Sequence, residues 1–149
     1  MSDHSSAPDE LALLQQIDAT ERRRAADRAA FFEIMGTVVE ALPDALIITD
    51  EAGEIILANA QAELIFGYHR DQMIGQAVEM LLPERFQHSH AAHRAGYVTE
   101  PRVRSMGDLR EISGRRRDGQ EIWVEIMLSP VVTRSGIYTL AVVRRKRHG

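Results

Sequence analysis

The residues most able to do chemistry lie in PERFQHSHAAHRAGY, residues 83–97, where His88, His90 and His93 fall within six positions. Neutral imidazole is a ligand for zinc and for haem iron. The segment reads as one helix opened by Pro83 and running to about Val98 before Pro101. At about 100° per residue, His90 and His93 stand about 60° apart, whereas His88 is turned about 160° from His90. Three side chains spread in this way do not converge on one zinc ion, and no carboxylate is placed to complete a tetrahedral set. A single haem ligand makes no such demand, so the histidines stay open to that reading.

The rest of the chain must position that helix. The 149 residues suffice for one domain with a core plus a helical arm, and 44% hydrophobic with 27% charged residues is an ordinary globular balance. A net charge of −4 gives no basic footprint for nucleic acid, and no apolar run is long enough to span a bilayer. Cysteine is absent, which removes disulfides, thiolate metal sites and thiol nucleophiles. The polar start, MSDHSSAPDE, has no targeting pattern, so a cytoplasmic protein is expected. There is no GxxxxGK[ST], GxSxG or HExxH motif and no Gly-rich dinucleotide loop; catalysis is not expected.

Residues 1–8 read as a disordered leader. From Asp9 to Leu42 the composition is that of a helix, with Gly36 as a point where it breaks or bends. Alternate steps of three and four give Leu11, Leu14, Asp18, Glu21, Ala25, Arg28, Phe32, Met35, Val39 and Leu42, apolar at both ends and charged in the middle. Such a stripe suits a self-associating amphipathic arm. Beyond Pro43 the pattern changes to short elements. Strands are expected at Ala45–Thr49 and Glu54–Leu57 around an Asp50–Gly53 turn, and helical pieces at 60–66 and 70–81 with Gly67 and Gly75 as punctuation. After the histidine helix, strands are expected at about 107–116, 120–129 and 137–146. Alternation along EIWVEIMLS places Ile122, Val124, Ile126 and Leu128 on one face and Trp123, Glu125, Met127 and Ser129 on the other. A Trp on the outer face asks for cover from the arm or from a second copy.

The runs LPDALIITDEAGEIILANAQAELIFGYHRDQMIGQ and GRRRDGQEIWVEIMLSPV resemble the PAS domain family. The shared marks are D-x-x-G-x-I at Asp50–Ile55, N-x-x-x-E-x-x-F-G-Y at Asn59–Tyr68, Gly75, and the G-R-R-x-D-G-x-E turn ending at Glu121. The resemblance covers roughly residues 40–145. It implies an α+β fold with a five-stranded antiparallel sheet, helices on one face and the amphipathic arm preceding it. The expected organisation is a leader at 1–8, the arm at 9–42, the PAS domain at 43–146 and a tail at 147–149. It implies further a pocket against the inner sheet face lined by Val124, Ile126 and Leu128, and a structural ion pair between Glu63 and Arg117.

Within the family, light-sensing members need a cysteine in G-x-N-C-R-F. Here the segment reads Gly75-Gln-Ala-Val78-Glu-Met, which excludes adduct chemistry. Oxygen-sensing haem PAS domains of the FixL type are similar in other respects. Ungapped counting places His90 on their proximal histidine, Arg110 on the distal arginine, and Ile126 and Leu128 on apolar distal residues. Arg104 stands where it could serve a propionate, but Gly96 replaces the arginine that usually does so, and Ser105 replaces a distal isoleucine. The expectation is therefore a PAS module without a cofactor, with haem b as the alternative. The module would act in trans as a sensory adaptor, contacting neither nucleic acid nor membrane. It would dimerise through Leu14, Phe32, Met35 and Val39 of the arm and through the outer face at Trp123 and Met127, with a sensor histidine kinase or related regulator as partner. A further alternative makes the chain the sensory piece of a larger kinase.

Overall fold

A computed structural model describes residues 6–88, 91 and 112–146. The first element is a single helix, α1 (Ser6–Ala41). It begins three residues earlier than expected, because a proline in the first turn gives up only an amide that would have no intrahelical acceptor. Residues 6–8 are thus helical rather than part of a disordered leader, and Gly36 neither breaks nor ends the helix. Every side chain from Asp9 to Val38 is exposed. This stretch forms one compact unit, and Val39 onward forms the other.

The second unit is built on β1 (Ala45–Thr49), β2 (Ile55–Ala58), β3 (Ile112–Arg115), β4 (Glu121–Thr133) and β5 (Gly136–Arg145). They form one antiparallel sheet in the order β2-β1-β5-β4-β3. Asp50 closes the first hairpin by accepting the amide of Gly53 on its carbonyl and that of Glu54 on its side chain. The β4–β5 hairpin is longer than sequence suggests, extending to Thr133 opposite Gly136. Pro130 fits within β4 because β3 pairs only with Glu121–Val124, leaving β5 as the neighbour there among the described residues.

Between β2 and the histidine segment lie α2 (Ala60–Phe66), α3 (Arg70–Met73) and a 3-10 turn at Val78–Leu81. The single helix expected over 70–81 is interrupted at Ile74, which is extended, and at Gly75, whose φ of 86° is a left-handed conformation that glycine adopts without penalty. Helical residues 84–88 follow. The core joins Ala45, Ile47, Ile55, Ile122, Val124 and Val143 of the sheet to Ala62, Phe66, Met73 and Leu81. Burial of each large side chain stabilises the fold by about 1.5–3 kcal/mol. Gly114 lets β3 approach this layer: a Cβ there would lie 3.1 Å from the Phe66 ring and 3.6 Å from the Leu81 carbonyl.

Candidate functional site

The point where α1 enters the second unit is organised by Asn59. Standing before α2 in extended backbone, it is the N-cap residue, and its Oδ1 accepts the amide of Ala62 at 3.1 Å. The same oxygen accepts the Leu46 amide of β1 at 2.9 Å. Its Nδ2 donates to the carbonyls of Val39, in the last turn of α1, at 2.9 Å and of Asp44 at 3.1 Å. A fully buried side amide thus has donors and acceptor used, which is what makes its burial tolerable.

One residue after Val39, Glu40 adds an ionic tie. Its carboxylate takes both guanidinium nitrogens of Arg70 at 2.7 and 2.9 Å, and Oε2 also accepts the Ala60 amide at 3.2 Å. Arg70 donates from Nη2 to Glu63 at 3.0 Å, and its backbone amide donates to the second oxygen of Glu63 at 3.0 Å. The Arg70 side-chain bond holds the Glu40 carboxyl below its ordinary value. The Arg70 backbone amide, then its side chain, do the same for Glu63. Two carboxylates raise the guanidinium in turn.

Glu63 is therefore committed to Arg70, with His69 Nδ1 at 3.6 Å, and the expected pair with Arg117 does not form. Arg117 instead donates its backbone amide to the Phe66 carbonyl at 2.8 Å. Its neighbour Arg116 caps the end of α2, with Nη1 donating to the Leu64 and Ile65 carbonyls at 3.1 and 2.6 Å. The capping fits Gly67, whose φ of 78° closes the helix. The side chain of this motif that reaches α2 is thus Arg116, through carbonyl capping.

The start of the histidine-bearing segment is tied to the sheet. Arg85 grips Glu121 of β4 with both nitrogens, the Nη2–Oε2 distance being 2.7 Å, while its guanidinium lies 4.6 Å from the centre of the Phe86 ring. His88 is exposed. His90 and His93, with Arg104 and Arg110, lie outside the described residues. Of the other pocket candidates, Val124 is buried, while Ile126 and Leu128 are half-buried on the same face of β4.

The opposite face carries two apolar rows and one charged row. Register aligns Leu46, Val142 and Met127 across β1, β5 and β4, and beside them Ile48, Leu140 and Ser129. The row above is charged, with Arg144 donating to Asp44 at 3.1–3.2 Å and standing opposite Glu125. Trp123, beyond that row, is 41% exposed, and Met127 is half-buried. On α1, Leu14, Phe32 and Met35 are 62, 69 and 38% exposed. Val39 differs from them: it is half-buried and its carbonyl is held by Asn59.

The sheet order, the helices on one face and the short-strand hairpin define the fold, and the sequence decides the family. A profile of the PAS fold matches residues 33–146. The chain belongs to the PAS family. Its PAS region is 31% identical over 98 residues to the oxygen sensor protein DosP of Escherichia coli K12, covering 66% of this chain and 12% of DosP. It is 35% identical over 83 residues to the sensor protein FixL of Bradyrhizobium diazoefficiens, covering 56% of this chain and 16% of FixL. The matches therefore span a small part of either relative. Among solved structures, the PAS domain of an HTR-like protein from Haloarcula marismortui superposes with a TM-score of 0.69 at 21% identity, over 84% of this chain and 99% of that one. That likeness supports the fold. The domain is a PAS module of the sensory, signal-transducing kind. Among the described residues no helix is long and apolar enough to cross a membrane.

Arg70 and Arg85 were not singled out by sequence reasoning, and Asn59 and Arg116 entered only as letters of the family marks, without a role. An Asn just before a helical run is an N-cap signal, so Asn59 was accessible in that way. No local pattern foretells that Arg70 meets Glu40 across thirty positions, or that Arg85 meets Glu121.

Proposed function

We propose that this PAS domain is a signalling module acting in trans, which self-associates through α1 and docks a sensor histidine kinase or related regulator on the outer sheet face around Trp123 and Met127. The pathway would be of the bacterial two-component type. One observation carries the reading: α1 is helical from Ser6 to Ala41, yet no side chain from Asp9 to Val38 is buried. Helices in water owe most of their stability to packing of an apolar face, and here the exposed Leu11, Leu14, Ile17, Phe32 and Met35 fall within about 120° of the helix surface. A second helix of the same chain satisfies it. Asn59 and the Glu40–Arg70–Glu63 network then give the core a grip on the last turn of α1, so that a shift of α2 or α3 is passed to the arm.

The test is the solution mass of the whole chain, measured by light scattering on a sizing column. Twice the chain mass is expected, falling to one chain mass in Leu14→Glu/Phe32→Glu. A wild-type chain that is monomeric throughout would sink the reading.

A second reading, that the pocket holds haem b, is favoured by the similarity to an oxygen sensor. Support within the described residues is the apolar stretch of sheet that Ile126 and Leu128, both half-buried, form on the Val124 face. His90 would be the axial ligand, Arg104 would meet a propionate and Arg110 would lie on the distal side. Bound haem would supply the gas-binding iron. Protein from haem-replete cells would then show a Soret band that His90→Ala abolishes. A featureless visible spectrum, before and after adding haemin, would exclude it.

A further inference from the structure

We infer that two copies of α1 pair antiparallel, with Asp18 of each helix opposite Arg28 of the other. This rests on the reading that α1 carries self-association, and it adds direction, register and a specificity-determining pair.

The argument starts from the stripe Leu11, Leu14, Asp18, Glu21, Ala25, Arg28, Phe32, Met35, whose spacings alternate three and four. In a parallel, in-register pair each stripe residue meets its own copy across the seam. Asp18 would face Asp18, Glu21 would face Glu21 and Arg28 would face Arg28, which stacks three like-charged layers in the middle of the interface. Like charges so placed are destabilising.

Turning one helix end over end about Arg23 removes all three conflicts. The alternating spacing reads the same in reverse, so each of these eight layers meets another of the eight; Val39, half-buried and with its carbonyl held by Asn59, lies outside the paired segment. Leu11 then faces Met35, Leu14 faces Phe32, Asp18 faces Arg28 and Glu21 faces Ala25. Ile17 and Phe31, each one position before a stripe residue, flank the seam about 3 Å apart in height and are 46 and 57% exposed. Apolar layers thus close both ends of the paired segment, and the charges between them are complementary.

The centre is arranged compatibly. Asp18 already holds Arg22 of its own helix at 2.9 Å, with both side chains more than half exposed. A carboxylate accepts from several donors, so Arg28 of the second copy adds to this contact. The small Ala25 opposite Glu21 leaves that carboxylate room to reach the arginines flanking the seam.

Direction has a consequence for signalling. At 1.5 Å per residue, Val38 of the two copies would stand roughly 45 Å apart along the axis. The two PAS domains would then follow opposite ends of the helical pair.

Because the chain has no cysteine, single spin labels report the arrangement in the whole protein. Labels are placed by Ala12→Cys and, separately, by Ala26→Cys, both off the seam. The antiparallel register separates the first pair by about 33 Å along the axis and the second by about 9 Å, whereas a parallel pair gives equal distances at both positions. In parallel, Asp18→Arg and Arg28→Asp are each expected to raise the dissociation constant about tenfold, and the double swap to restore it. Equal distances, or single swaps that leave the dissociation constant unchanged, would overturn the antiparallel arrangement while leaving self-association standing. A chain monomeric at every concentration would overturn both.

Discussion

Replacing Asn59 by Ala tests the junction at the head of the PAS domain. The substitution removes the cap of α2, worth about 1 kcal/mol. It leaves the Leu46 amide, on a residue only 6% exposed, without its side-chain acceptor, at a cost of about 1–3 kcal/mol. It also strips one donor each from the part-buried carbonyls of Val39 and Asp44, about 0.5 kcal/mol apiece. The sum is about 3–5 kcal/mol, a large share of the roughly 5–15 kcal/mol typical of a domain. Urea unfolding followed by Trp123 emission is expected to show a lower midpoint with an unchanged slope. Asn59→Asp separates the two halves of the role: it keeps the acceptor but turns a carboxylate on two carbonyls, so it is expected to be about as damaging at neutral pH. A loss below about 1 kcal/mol for Ala, or a wild-type midpoint for Asp, would refute the reasoning.

Other predictions follow from the same packing and charges. Gly114→Ala places a methyl 3.1 Å from Phe66 and is expected to cost about 1–3 kcal/mol in urea unfolding, a midpoint equal to wild type being the contrary result. The carboxyls of Glu40 and Glu63 are held below their ordinary value of 4.5, so the folded state binds fewer protons than the unfolded one in acid. Their contribution is complete above that value and is lost as pH falls through the lower folded values. With both partners of the Glu40–Arg70 pair about 40% exposed, the effect is about 1 kcal/mol or less. Wild type should lose more stability than Arg70→Met between about pH 6 and pH 3.5, and equal losses would remove the network from the account.

Alternation made the sheet legible. Ile122, Val124, Ile126 and Leu128 read as one face, of which Ile122 and Val124 are buried and the other two half-buried, because such a strand leaves a period of two in its own sequence. The arm was legible from composition, since no helix breaker other than Gly36 occurs between Asp9 and Leu42. The broken helix at 70–81 was not, since the turn at Ile74–Gly75 is fixed by contacts to β2: Gly75 donates to the Ile55 carbonyl and Ile55 donates to that of Gln76. Likewise the resemblance placed an ion pair on Glu63 and Arg117, whereas the nearer Arg70 satisfies Glu63 and Arg116 takes over the helix end. Long-range pairing of charged side chains depends on where the backbone delivers them, and a single sequence does not carry that information.

The central claim is that α1 folds because a second copy covers it, and circular dichroism of the whole chain tests this most directly. In Leu14→Glu/Phe32→Glu the account predicts loss of helical signal equivalent to most of the 36 residues of α1, with the urea midpoint of the PAS domain, read by Trp123, unchanged. A variant that is monomeric yet keeps the full helical signal would show that α1 needs no partner, and would contradict the account.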